Sequence, residues 1–176
     1  MSPSARRGPA VSIVQLSRET LDALADGDLE RARATSPVEL TDWLGGEECR
    51  GVWRRRSRQT AVVPADLPWV TGVVRDEQTG RSVGRAGFHA APDADGMLEV
   101  GYAIDPDQRR RGYARAALAL MVGRARAEPG VVVLRATASP TNAPSLALFH
   151  EHPFLEVGEQ WDDEDGLELV HEMPVG

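Results

Sequence analysis

The sequence predicts a single α/β (α+β) domain, a mixed and mostly antiparallel sheet flanked by helices. Three observations predict it. Short apolar runs separated by Asp/Gly turns recur at hairpin spacing, one strand-helix-strand unit interrupts them, and 176 residues with 41% hydrophobic and 27% charged content suffice for one sizeable core.

Residues 1–9, rich in Ser, Pro, Arg and Gly, read as a tail, with the domain spanning 10–176. Val11-Ser12-Ile13-Val14 alternates as a first strand. Leu21, Leu24 and Leu29 mark a helix over Thr20 to Ala34, and Pro37 to Leu44 gives a short helical pattern stopped by Gly45-Gly46. The run Arg54-Arg55-Arg56-Ser57-Arg58 reads as a solvated helix face. Trp69 to Arg75 and Ser82 to Ala90 are strand-like about the turn at Asp76 to Gly80, which predicts an antiparallel hairpin. After the turn Asp93-Ala94-Asp95-Gly96, Met97 to Ile104 alternates: Leu98, Val100, Tyr102 and Ile104 share one face, Met97, Glu99, Gly101 and Ala103 the other.

From Gly112 onward Ala114, Ala117, Leu118, Met121, Val122 and Ala125 form one helical stripe, ended by Pro129-Gly130. Val131 to Ala138 suits a central strand, and a strand-helix-strand connection favours parallel pairing through a right-handed crossover. Asn142-Ala143-Pro144-Ser145 opens another helix, with Asn142 at the N-cap and Pro144 in the first turn. Phe154 to Gln160 and Leu167 to Met173 close the domain as a hairpin about Asp162-Asp163-Glu164-Asp165-Gly166.

Composition removes several function classes. The twenty cationic residues are all arginines, so a Walker-type phosphate loop, a pyridoxal Schiff base and a Ser-x-x-Lys acyl enzyme are excluded. A net charge of −7 argues against nucleic acid as a partner. No apolar run approaches the roughly 20 residues of a bilayer span, and Met1 to Ala10 lacks the apolar core of a secretory signal, so no membrane and a cytoplasmic location are expected. Cys49, the only cysteine, reads as a buried thiol, and no metal site is expected, since His150 and His152 stand at an i, i+2 spacing that suits a helix-borne metal poorly. Trp43, Trp53, Trp69 and Trp161 read as core or pocket walls.

The chemistry-bearing stretch is Ile104 to Arg115, which leaves a strand, turns at Pro106 and enters a helix at Gly112. The first N–H groups of a helix have no internal partners and, with the helix dipole, hold anionic phosphate groups. Arg109, Arg110, Arg111 and Arg115 add positive charge beside them. Arg109-x-x-Gly112-x-Ala114 resembles the Arg/Gln-x-x-Gly-x-Gly/Ala signature of the GCN5-related N-acetyltransferases, the GNAT superfamily. The likeness extends through Val83 to Phe88, Leu98-Glu99-Val100-Gly101-Tyr102-Ala103-Ile104, Asn142-Ala143-Pro144-Ser145 and Phe154 to Gly158, and is most like the ribosomal-protein N-terminal acetyltransferase branch.

That resemblance implies a sheet splayed between a parallel central strand pair where coenzyme enters. It implies direct acetyl transfer from acetyl-CoA, as co-substrate, to a primary amine on a protein N-terminus or a small molecule, and it leaves a homodimer open. The backbone from Arg109 through Arg110, Arg111, Gly112 and Tyr113 to Ala114 would cradle the pyrophosphate. Asn142 and the strand edge at Ala103 and Ile104 would serve the pantetheine arm. Glu99, on a mostly apolar strand that can raise its pKa, would take the amine's proton; the alternative is an ordinary strand carboxylate. Ser145 would supply the acid for the leaving sulfur; the alternative is a hydroxyl that caps its own helix. Many members carry a tyrosine near the position of Phe149, and most have glycine where Pro153 stands, so a non-catalytic acyl-CoA-binding domain is the competing reading.

Overall fold

The computed structural model describes residues 8–175, so most of the expected tail at 1–9 lies outside the described residues. Strand β1 (Val11–Val14) is followed by four helices, α1 (Arg18–Asp26), α2 (Leu29–Thr35), α3 (Asp42–Gly45) and α4 (Glu47–Val62). Then come β2 (Gly72–Asp76), β3 (Ser82–Phe88), β4 (Met97–Ile104), α5 (Tyr113–Ala127), β5 (Val133–Ala138), α6 (Ala143–Phe149), β6 (Leu155–Asp162) and β7 (Gly166–Pro174). The single helix expected over Thr20 to Ala34 is two. Gly27, at φ 77°, caps α1 by donating to the carbonyls of Ala23 and Leu24, and Asp28 starts α2 by accepting from Arg31. The helix expected from Pro37 begins only at Asp42, where Thr41 caps it.

The strands form one seven-stranded sheet in the order β1-β2-β3-β4-β5-β7-β6. Every pairing is antiparallel except β4 with β5, the two strands joined through α5. Period-two alternation sends side chains of adjacent residues to opposite faces. Val74 enters the core under α5 and α6, with Leu98, Val100, Met121, Leu134 and Phe149, while Val73 enters a second core under α1 to α4, with Leu24, Leu44 and Trp53. The sheet is thus the middle of three layers.

Two sequence expectations are corrected, one on α4 and one on β6. The arginine run of α4 is not wholly solvated: Trp53, Arg56 and Thr60 recur at helical spacing and are buried. Arg56 donates to the carbonyl of His89 (2.8 Å), to Gln59 Oε1 (2.6 Å) and to Thr71 Oγ1 (3.3 Å), and burial lowers its pKa to about 10. Of the four tryptophans, Trp161 is 74% exposed on β6, whereas Trp53 is fully buried with Nε1 donating to Leu44 O, and Trp69 lies under the Arg124 guanidinium.

Candidate active site

β4 positions the site because its two neighbours release it at different points. Pairing with β5 runs only from Met97↔Val133 to Val100↔Ala136, whereas pairing with β3 continues to Ile104↔Gly84. From Gly101 onward β4 and β5 splay. Backbone groups alternate sides along a strand. The Glu99 carbonyl accepts from His89 N and the Asp105 N–H reaches Val83 O, so residues 99, 101, 103 and 105 point at β3. Tyr102 and Ile104 therefore face the gap. Ala103, expected to offer its backbone there, instead turns it to β3; Ile104 keeps its place, its carbonyl accepting from Arg109 Nε at 3.2 Å.

The loop after β4 is set by local chemistry. Asp105 accepts from Asp107 N, Pro106 opens a short 3-10 turn, and Arg109 is extended. Arg110 (φ 61°) and Gly112 (φ 86°) are both left-handed. A non-glycine residue there is uncommon and usually held by its surroundings. Gly112 begins α5 without a capping side chain, and the first backbone bond back to it comes from Ala116 N. The N–H groups of Tyr113, Ala114 and Arg115 are consequently free of helical partners, and all three residues line the cleft described next. Gly112's missing Cβ does not face that cleft, as steric clearance for a phosphate would require; a Cβ would meet Pro9 Cδ at 3.1 Å. The glycine is demanded by backbone conformation.

Cradle and gap join in one cleft of about 650 Å³. It gathers Ala103, Ile104, Arg109, Arg110, Gly112, Tyr113 and Ala114 from one side with Asn142 and Ser145 from α6, and Tyr102 from its floor. Arg111 does not line it. Arg115 is held in a two-pronged ion pair with Glu151, which raises its pKa, so the cations along the cleft are chiefly Arg109 and Arg110.

These features fit a sequence match to the acetyltransferase (GNAT) domain over residues 14–152. The chain belongs to the GNAT acetyltransferase family. No functionally curated protein matches it in sequence. Solved structures share the GNAT fold at low identity. A chimera of spermidine N-acetyltransferase SpeG from Vibrio cholerae and hSSAT superposes with TM-score 0.65 at 12% identity, over 94% of this chain and 95% of that one. The yncA protein of Salmonella typhimurium, solved with its cofactor acetyl-CoA, gives 0.60 at 18% over 95% of each chain. A GNAT-family acetyltransferase from Bacillus anthracis gives 0.61 at 16%, over 96% and 97%.

Within this GNAT chain, Ser145 is not occupied with capping its helix. Asn142 Oδ1 accepts the Ser145 N–H at 3.2 Å, and the Ser145 hydroxyl instead takes a hydrogen bond from Tyr102 Oη at 3.2 Å. Burial pushes the Tyr102 phenol up in pKa, partly offset by that bond, so it stays protonated at neutrality. Sequence reasoning did not single out the Tyr102 hydroxyl, which meets Ser145 only in the folded chain. Phe149 is buried against Phe154 and His171 rather than facing the cleft. Pro153 does not spoil the following turn: Phe154 N donates to His152 O at 2.8 Å and its ring reaches the core.

Glu99 lies on the sheet face opposite Tyr102, with its side chain 19% exposed. The expectation of a raised pKa is overturned. Burial does push the carboxyl up, but His89 at 3.5 Å, the Arg135 charge and the Thr137 hydroxyl at 3.4 Å together outweigh it and lower it. His89 was also missed; nothing in a lone histidine after a strand signals a partner ten residues on. Tyr113 has a role beyond its backbone: its hydroxyl donates to Asp76 at 2.5 Å, pinning the start of α5 to β2 and lowering the Asp76 pKa. Cys49 is fully buried, and burial raises its thiol pKa, which suits a core residue and not a nucleophile. Among the described residues no cluster of metal-ligating side chains occurs, and no helix is long and apolar enough to cross a membrane.

Proposed function

We propose that this acetyltransferase transfers the acetyl group of acetyl-CoA to a primary amine by direct attack, with residues 10–176 acting as one catalytic unit. The observation that carries the reading is the position of β4: its gap-side backbone floors the coenzyme cleft, while Glu99 and Gly101 present the opposite sheet face to an acceptor. The coenzyme fits the residues present. The free N–H groups opening α5 and the Arg109 and Arg110 guanidinium groups suit a pyrophosphate. The splay would give an extended pantetheine arm the gap-facing backbone of Tyr102 and the N–H of Ile104, whose carbonyl is taken by Arg109, and one of these N–H groups would stabilise the oxygen that gains charge during attack.

Bound acetyl-CoA supplies an activated thioester; the chain supplies position and proton traffic. Ser145, backed by the Tyr102 hydroxyl, gives a proton to the departing sulfur. On the acceptor side, the carboxylate of Glu99 supports removal of the amine's proton. No covalent enzyme intermediate is needed, since Cys49 lies in the core under α1 to α4, away from the cleft.

For the acceptor we favour a protein or peptide N-terminus, on the likeness of Leu98 to Ile104 and Asn142 to Ser145 to the ribosomal-protein branch. Incubation with acetyl-CoA and a panel of N-terminal peptides, polyamines, amino acids and aminoglycosides, followed by free-thiol release and mass spectrometry, tests it. The expected result is turnover of peptides with at least tenfold higher kcat/KM than spermidine. Exclusive turnover of polyamines would replace the proposed acceptor, and tight coenzyme binding without turnover of any amine would overturn the catalytic reading.

A further inference from the structure

His89 follows β3 directly, and its backbone is held from three sides. Its N–H donates to the Glu99 carbonyl at 2.8 Å, and its own carbonyl accepts from both Arg56 and Gln59 at 2.8 Å. Gln59 is in turn fixed by donating to Asp66 at 2.7 Å. The buried Arg56 also donates to Gln59 Oε1 and Thr71 Oγ1, so the donor pair that grips the His89 carbonyl is itself fixed, and the result is a fixed origin for one imidazole. The ring lies lengthwise on β4. Nδ1 stands 3.5 Å from Glu99 Oε1, and Nε2 stands 2.9 Å from where a Cβ on Gly101 would be. Any side chain at residue 101 would displace the ring, so this glycine is where the histidine needs the space.

The direction of the ring matters. Val100 is the last residue of β4 paired to β5, and Gly101 is the first residue of the splay. Nδ1 points to the closed part of the sheet and Nε2 to the opening, beside the Tyr102 backbone that floors the cleft. Successive residues on one strand face stand about 6.6 Å apart, so the imidazole bridges from the carboxylate to the place where an acyl carbon can be reached from the acceptor side. His89 remains 38% exposed there, open to an incoming amine.

Resting on the proposed acetyl transfer, we infer that His89 Nε2 is the group that takes the proton from the acceptor amine, and that Glu99 is its positioning residue rather than the base. The lone pair of the neutral amine forms the C–N bond, and Nε2 accepts the proton that the attacking nitrogen then loses. The C–S pair leaves on sulfur, which receives a proton from Ser145; Tyr102 replaces the proton of Ser145 and solvent that of Tyr102, while His89 releases its own proton to solvent, so that the balance closes. Glu99, accepting from Nδ1–H, fixes the tautomer with Nε2 bare and stabilises the imidazolium. A carboxylate held below its ordinary pKa by His89, Arg135 and Thr137 is a poor proton store at neutrality, whereas imidazole is the side chain that changes charge there. The charged groups around the ring are Glu99 on β4, Asp162 on β6, and Arg56 on α4 at the carbonyl, with Asp66 behind Gln59; Arg55 opposes Asp162, and Arg135 faces Glu99.

Long-range proton–nitrogen NMR on the full chain with acetyl-CoA bound tests this without an acceptor, the pattern of His89 among the four histidines being identified by its loss in His89→Gln. Neutral His89 is expected to carry its proton on Nδ1, and in Glu99→Gln to lose that preference. With the best amine of the panel, His89→Gln is expected to lower kcat about a hundredfold and to flatten the acidic limb of its pH profile, with acetyl-CoA affinity held within about threefold. Glu99→Gln keeps the limb and loses less. An Nε2-protonated His89 overturns the inference, as does wild-type kcat in His89→Gln beside an inactive Glu99→Gln. A wild-type chain that binds acetyl-CoA but turns over no amine overturns the proposed function itself, an outcome distinct from continued turnover with the tautomer or the limb wrong.

Discussion

Replacing Gly112 with valine is expected to abolish acetyl-CoA binding, with affinity measured by calorimetry falling at least a hundredfold. A left-handed backbone costs an ordinary L residue roughly 1–2 kcal/mol, and a β-branched one more. At φ 86° valine meets that cost in full, and its Cβ also stands about 3.1 Å from Pro9 Cδ. The cheapest relief is rotation of residue 112 out of the left-handed region, which re-aims the N–H groups of Tyr113, Ala114 and Arg115 away from the cleft. Alanine substitution of Arg110, a rim cation, is expected to weaken binding only several-fold, since screened charge at an exposed position contributes little beside oriented backbone donors. Equal losses in the two variants would show that charge, not backbone geometry, holds the coenzyme.

Removing both hydroxyls of the Tyr102–Ser145 pair, as Tyr102→Phe with Ser145→Ala, is expected to lower kcat by about 10² while leaving the affinity for acetyl-CoA within a few-fold. The pair sits 3.2 Å apart at the cleft floor. Because the two act in series on one proton, the single variants should each lose most of what the double variant loses, a non-additivity that independent contacts would not give. A thioester with a more acidic leaving thiol needs less help from an acid, so it should restore much of the double variant's rate. Additive single losses, or no restoration by the better leaving group, would remove the pair from proton transfer.

How legible this was in the sequence depends on how far apart the interacting residues lie. β1 and β4 occupy the expected residues because alternation fixes both locally, helped at β4 by the turn at Gly96. The passage from Ile104 to Ala114 is readable for the same reason, as a contiguous strand, turn and helix start. The division of the first helix at Gly27-Asp28 was also written locally, in a glycine able to adopt φ 77° followed by an N-capping aspartate. By contrast, the partners of Glu99 come from β5 and from the residue after β3, and their sum reverses the sign expected of burial alone. Tyr102 and Ser145 are separated by 43 residues and meet only because α6 folds against the splay. Arg56 sits in a run of like residues, and only the helical phase set by Trp53 and Thr60 turns it inward.

The measurement that bears most directly on the whole account is a crystal structure with a non-hydrolysable acetyl-CoA analogue bound. The pyrophosphate is expected within about 3.2 Å of the N–H groups opening α5, the acyl oxygen at a gap-facing N–H of Tyr102 or Ile104, and the sulfur within about 3.5 Å of the Ser145 hydroxyl. The acyl carbon should then be open to the face that carries His89 and Glu99. An analogue seated outside the splay, or with its sulfur remote from Ser145 and its acyl group closed off from the Glu99 face, would contradict the account.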